Sequence, residues 1–243
     1  MSSILIIDNM LGSGITWKIL RLIHTMFYSD INFNNIDKIY IKNRNYPEMN
    51  IIYTYCNIPN IVTKKINKSV GSLGIKNIKD HTNFKEFCQI AQKIQFNFNF
   101  DKNELKNMSY DLGIHIRLTD MNKHHGNLYG YIYYDDFEKN IINYIKSNNV
   151  NKVFLTSDNV ESLDEVKKLL KSYNVCVYKN NNKMLSLKSD NSNFCQDQKN
   201  ILLKNTDTYK EVMKDVYHLS LCENIIYRTS GVSGLAILLS SKK

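Results

Sequence analysis

The sequence predicts an α/β protein built on parallel, doubly wound sheets. Two observations carry this. Through the second half of the chain, short strand-like runs, one of them (Gly113–Thr119) with a clear period of two, alternate with segments at helical spacing, the pattern of strand–helix–strand units. Several of the apolar runs also end in short polar pairs, Asp8-Asn9, Thr119-Asp120 and Ser157-Asp158, as strands do where an α/β sheet opens to a ligand.

The elements follow in order. Residues 3–7 form an apolar run that stops at Asp8-Asn9, and Leu11-Gly12-Ser13-Gly14 supplies a tight loop. Trp17, Leu20, Ile23, His24 and Phe27 then recur at helical spacing. Residues 36–41 read as the next strand. The stretch 43–59 is irregular and holds both prolines, with a short strand at 51–55. A helix is expected over 84–96 and a polar linker over 97–107. The second half is more regular: strand 112–118, a His- and Gly-containing loop 122–130, helix 134–147 and strand 153–156. Helix 161–171 and strand 175–178 follow, then a polar loop 180–193, helix 209–221, strand 224–227 and a final helix 231–239. The linker divides the chain into an N-terminal α/β domain, 1–105, and a C-terminal Rossmann-like domain, 106–243.

Composition bounds the function classes. A chain of 243 residues with 43% hydrophobic residues can bury a sizeable core. The net charge of +9 suits anionic ligands, but the lysines are dispersed, as on an ordinary solvated surface. No compact basic-aromatic motif accompanies the 16 tyrosines, so nucleic-acid binding is not the expectation. Cys56, Cys88, Cys176, Cys195 and Cys222 are odd in number and include no Cys-x-x-Cys pair. Reduced thiols are expected, rather than a disulfide framework or a zinc site. The start, MSSILIIDNMLGSG, lacks a basic region and a long apolar run, and no stretch approaches a membrane span. A soluble, cytoplasmic protein is expected.

Four segments could carry chemistry. In Gly113-Ile114-His115-Ile116-Arg117-Leu118-Thr119-Asp120, the aliphatic residues alternate with His115 and Arg117. A strand therefore puts the imidazole and guanidinium on the face opposite the isoleucines. Two readings stand for Arg117: a planar fork for an anion such as a diphosphate, or a partner for Asp120 or Asp158. In Asn224-Ile225-Ile226-Tyr227-Arg228-Thr229-Ser230-Gly231-Val232-Ser233-Gly234, a strand runs through small residues into a helix. Free N–H groups at such a helix start attract anions; ordinary capping by Ser230 or Thr229 explains the same residues. The Walker A ending is missing. Asp158 closes the strand Val153-Phe154-Leu155-Thr156-Ser157, either beside a ligand or as the cap of the next helix. Asp215 borders the apolar stripe of Val212, Val216 and Leu219. There it either pairs with a lysine or accepts the N1–H and 2-amino group of guanine, a donor pair adenine lacks.

Taken together, His-x-Arg-x-Thr-Asp, the Thr-Ser-Asp strand end, and Asp-x-x-x-Leu-Ser followed by a strand and a Ser/Gly helix start resemble the α-1,6- and protein O-fucosyltransferase superfamily. These motifs lie between Gly113 and Leu239. The resemblance implies the GT-B architecture of two Rossmann-like domains, the first one reduced here. It implies a glycosyltransferase that moves fucose or a related sugar from a GDP-sugar to a glycan or protein hydroxyl, with inversion and without a metal. Residue by residue, Arg117 would hold the β-phosphate, His115 would contact the nucleotide and Asp215 would read guanine. Ser230 and the N–H of Gly231 would hold the pyrophosphate, and Asp158 matches an acidic residue near the nucleotide. Asn9, in the first loop, would contact acceptor or donor.

The chain departs from that family at three positions. Leu118 stands where α-1,6 members carry a second Arg, Met121 replaces a Lys, and the catalytic Glu position falls near His125. An inverting transfer needs a base for the acceptor hydroxyl. His125, His124 or Asp120 could serve, and each histidine also reads as a solvated loop residue. The same departures frame an alternative: a non-catalytic nucleotide- or glycan-binding protein with a degenerate transferase fold.

Overall fold

The computed structural model describes residues 4–8, 15–28, 38–42, 51–54, 62–65, 84–96, 108–116, 134–157, 160–179, 206–227 and 230–240. The chain divides into two compact units, Met1–Phe100 with Ile201–Met213, and Asp101–Asn200 with Lys214–Lys243. The expected linker at 97–107 and the loops at 122–130 and 180–193 lie outside the described residues.

The first unit contains β1 (Ile4–Asp8), α1 (Ile15–Tyr28), β2 (Lys38–Lys42), β3 (Ile51–Thr54), β4 (Val62–Lys65), α2 (Phe84–Lys93) and β5 (Gln95–Phe96). Its sheet has the order β4-β1-β2-β3-β5. Ile19, Leu20, Leu22, Ile23 and Met26 recur along one face of α1 and are buried, as a helix that covers a core must be. Phe27 meets Phe87 of α2 edge-on, with ring centroids 4.9 Å apart.

Three features of this unit differ from the sequence expectation. The sheet is mixed: β1 pairs parallel with β2 and β4, but β3 runs antiparallel to β2 and to β5. Only residues 43–50 separate β2 from β3, too few for a parallel crossover. The helix expected over 84–96 ends at Lys93, and Gln95 and Phe96 pair with Thr54 and Tyr53 instead. A backbone bond from Ile94 to Ala91 closes the last turn and frees the chain to extend. Strand β4 has the polar sequence Val-Thr-Lys-Lys and no apolar period of its own; its pairing with β1 makes it a strand.

The second unit contains β6 (Tyr110–Ile116), α3 (Tyr134–Ser147), β7 (Lys152–Ser157), α4 (Val160–Lys171), β8 (Cys176–Lys179), α5 (Thr206–Ser220), β9 (Cys222–Tyr227) and α6 (Gly231–Leu239). The boundary between the units falls within α5. The sheet order is β8-β7-β6-β9 and every pairing is parallel. The α/β prediction holds here in its Rossmann-like form. On one face, Leu112, Ile114 and Ile116 of β6 pack with Ile141 and Ile145 of α3 and Val166 and Leu170 of α4. Strand β6 is buried on both faces except at Asp111, as expected of a central parallel strand. Asp111 accepts the backbone N–H groups of Asn151 and Lys152 at 2.7 and 2.8 Å, tying the start of β6 to the start of β7.

The other face carries α5. Gly113 sits beneath it, where a Cβ would stand 2.8 Å from Cys222 Sγ and 3.0 Å from Leu219 Cδ2. Glycine lets the helix approach the sheet this closely. Among the described residues no helix is long and apolar enough to cross a membrane.

Candidate functional site

Chain order sets where a site can form in the second unit. From β6 the chain moves outward through β7 to β8, then returns to place β9 on the opposite side of β6. The reversal makes β6/β9 the topological switch point, and ligands of open α/β sheets bind at the C-terminal ends of the strands there.

The described polar residues of this edge are buried. His115, Asp215 and Ser230 expose 3%, 4% and 3% of their surfaces, and Thr156 and Ser157 are buried with them. Unpartnered burial of such groups would cost several kcal/mol apiece (about 2–7 by transfer scales). The structure supplies partners. Thr156 Oγ1 donates to Asp215 Oδ2 at 2.9 Å in a buried contact, and a hydrogen bond to a charged acceptor contributes about 1.5–3 kcal/mol. Ser230 Oγ lies 3.3 Å from His115 Nδ1, with the donor set by the imidazole tautomer.

Ser230 also starts α6. Its backbone is extended, its hydroxyl accepts the N–H of Ser233, and the Ser233 hydroxyl accepts the N–H of Ser230. This reciprocal capping box satisfies two of the N–H groups that a helix start leaves over. Ser233 Oγ donates in turn to the Ser230 carbonyl at 3.1 Å. Capping and contact with His115 are therefore not exclusive readings of Ser230: one hydroxyl does both. Gly231, buried at the first position of α6, presents bare backbone at the positive end of the helix dipole.

The two polar pairs are contiguous. His115 is registered opposite Thr156 on β7 and opposite Tyr227 on β9. Registered residues share a face, with parallel strands about 4.8 Å apart. Thus Asp215, Thr156, His115 and Ser230 form one line across the strand ends, from α5 over β7 and β6 to the start of α6. Of the residues singled out in the sequence, the structure brings His115 and Ser230 into contact and sets Asp215 one strand away, through Thr156. Arg117, Asp120, His125, Asp158 and Asn9 lie outside the described residues. Thr156 enters the sequence reading only within the Thr-Ser-Asp strand end, with no role of its own; its bond to Asp215 comes from the fold.

One turn further along α5, the surroundings change. His218 stacks on Phe154 with ring centroids 4.7 Å apart and an interplanar angle of 17°. Its Nδ1 lies 3.0 Å from Tyr110 Oη, and the Tyr110 hydroxyl donates to Met108 Sδ at 3.2 Å. Burial, reinforced by Lys214, pushes the His218 pKa down. Burial, then Cys222 and Tyr178, pushes the Tyr110 pKa up to about 12. Both rings are held neutral at pH 7, and this end of the sheet is closed by aromatic packing.

Compared with known proteins, the chain matches no family model and no curated protein sequence.

Proposed function

We propose that the chain is a GDP-sugar-dependent glycosyltransferase of the fucosyltransferase type, with its donor site at the C-terminal ends of β6, β7 and β9. The observation that supports it is the buried polar line of Asp215, Thr156, His115 and Ser230 at the sheet's switch point. A carboxylate suited to a purine edge stands at one end, and a capped helix N-terminus suited to a diphosphate stands at the other. In this reading the unit is the donor half of a GT-B enzyme with a reduced first domain.

The chemistry is an inverting displacement. The acceptor hydroxyl attacks C1 of the sugar as the bond to the β-phosphate oxygen breaks, and GDP leaves with that electron pair. A base takes the acceptor proton; His125, His124 and Asp120 are the candidates in the sequence. Arg117, next in sequence after β6 ends at Ile116, would pair with the β-phosphate. The first-turn N–H groups of α6 would add fixed dipoles toward the developing charge, so no metal is required by this scheme.

The sequence also supports a second reading, a nucleotide or glycan binder without turnover. It is motivated by Leu118, Met121 and His125 at positions where the α-1,6 branch carries Arg, Lys and Glu. Titration calorimetry with GDP, UDP and ADP tests the first reading: GDP binds in preference, and equal or absent binding of all three refutes it. Measuring GDP release from GDP-fucose with and without glycan acceptors separates them. Release that disappears in Arg117→Ala supports the enzyme. Binding with no release across GDP-fucose, GDP-mannose and GDP-rhamnose supports the binder.

A further inference from the structure

We infer that Thr156 is the positioning residue that sets base selectivity, by holding the Asp215 carboxylate in the orientation that reads a guanine edge. The inference rests on the donor-site reading above and adds a residue and a role to it.

The geometry comes from two rigid elements. Thr156 lies within β7, buried, with His115 registered opposite on β6. A β-branched side chain on a strand has little χ1 freedom, so its hydroxyl is a fixed donor rather than a mobile one. Asp215 lies on α5, which the close approach over Gly113 seats against the same face. The 2.9 Å bond from Thr156 Oγ1 fixes one carboxylate oxygen, Oδ2. With one oxygen fixed, the plane of the carboxylate is restricted as well. A carboxylate has about four lone-pair sites and the Thr156 bond engages one of them; the N1–H and 2-amino donors of guanine would need two of the others. Those donors are parallel, and only a carboxylate whose plane matches the base can take both. Sites built on strands and helices hold such angles better than loops do.

Selectivity then has a structural address. Guanine offers two donors to this carboxylate, hypoxanthine keeps N1–H but lacks the 2-amino group, and adenine presents a bare N1 acceptor that a carboxylate repels. The ratio of GDP to IDP affinity reads the orientation of Asp215. A loss of general packing lowers both affinities and leaves the ratio alone.

The experiment is titration calorimetry of GDP and IDP against the full chain, its Thr156→Val and Thr156→Ser variants, and Thr156→Ala, with melting temperatures measured alongside. Thr156→Val keeps the shape and removes the donor; Thr156→Ser restores the donor. The wild type prefers GDP over IDP; that preference falls by about tenfold in Thr156→Val, the worth of one charge-assisted hydrogen bond, and returns in Thr156→Ser. Should Thr156→Val not fold, Thr156→Ala removes the same hydroxyl with less bulk, and its ratio is read in the same way. An unchanged ratio in the hydroxyl-free variants, or an equal loss for both ligands, overturns the positioning role while the donor-site reading stands. A wild type without preference for GDP over IDP, ADP and UDP overturns the donor-site reading itself, and this inference with it.

Discussion

Helix α5 covers two unlike surfaces on one face of the same sheet, a single turn apart. Over the strand ends, Asp215 meets Thr156, and on the neighbouring strand His115 meets Ser230 at the start of α6. Toward the strand starts, His218 meets Phe154 and Tyr110. The polar surface is buried and the aromatic one is buried at Tyr110 and Phe154 with His218 half-buried, and they differ in what burial does. At the aromatic end it removes apolar area from water, which stabilises the fold, and it disfavours the charged forms of a histidine and a tyrosine. At the polar end it desolvates a carboxylate, an imidazole and hydroxyls, which costs free energy that hydrogen bonds only offset. A fold has no need to concentrate that cost at its switch point; a binding site does.

The largest expected effect separates the two ends by stability. Phe154→Ala deletes a fully buried ring at the aromatic end and should cost about 3–5 kcal/mol. Chemical denaturation measures the loss, and the folded fraction should keep the preference for GDP over ADP that the proposed donor site predicts. If the preference vanishes with the ring, the two ends are not independent.

The converse change is Asp215→Ala. It leaves Thr156 Oγ1 without its acceptor and should weaken GDP binding by about 2–5 kcal/mol, the range for truncating one partner of a buried charged hydrogen bond. Affinity for ADP should move far less, because adenine offers that carboxylate no donor pair. Calorimetry with both nucleotides checks it.

Gly113→Ala tests what joins the ends. The new Cβ presses on Leu219 and Cys222, and such overpacking costs about 1–3 kcal/mol. Because Leu219 lies on the same helix as Asp215 and His218, the variant should weaken GDP binding as well as stability. Adding Cys222→Ala relieves the shortest contact, so the double variant should lose less stability than the sum of the two single changes.

The smallest effect is a pH dependence at the aromatic end. The His218 pKa is lowered from its ordinary 6.5, first by burial and then by Lys214. The unfolded chain therefore binds this proton more readily than the fold does. The stability linked to His218 is present above pH 6.5 and is lost as pH falls toward the lowered folded value. Urea melts between pH 5 and 8 should show that slope in the wild type and a shallower one in His218→Gln.

The same contrast explains what the sequence revealed. Elements of the second unit were legible because its strands are short apolar runs set between helical patterns: Leu112, Ile114 and Ile116 alternate cleanly in β6, Val153, Phe154 and Leu155 run together in β7, and Ser230 marks the start of α6. In the first unit, β4 consists of Val-Thr-Lys-Lys and is defined by its neighbour, so local pattern could not find it. The sequence extends helix α2 too far because Ile94 continues its apolar spacing three residues after Ala91, while pairing with β3 decides the state of Gln95 and Phe96. At the site, His115 and Ser230 were each legible as motifs, yet their contact spans 115 positions and depends on β9 returning beside β6. The Thr156–Asp215 bond spans 59 positions and has no sequence signal of its own. Local chemistry was readable; adjacency created by strand order was not.

Backbone hydrogen exchange with and without GDP tests the central claim most directly. Saturating GDP should slow exchange at the start of α6, Gly231 to Gly234, and at the ends of β6 and β7, while Tyr110–Leu112 and the His218 turn of α5 exchange unchanged. Protection confined to the aromatic end or to the first unit, or none at saturating GDP, would contradict a nucleotide site at the C-terminal ends of this sheet.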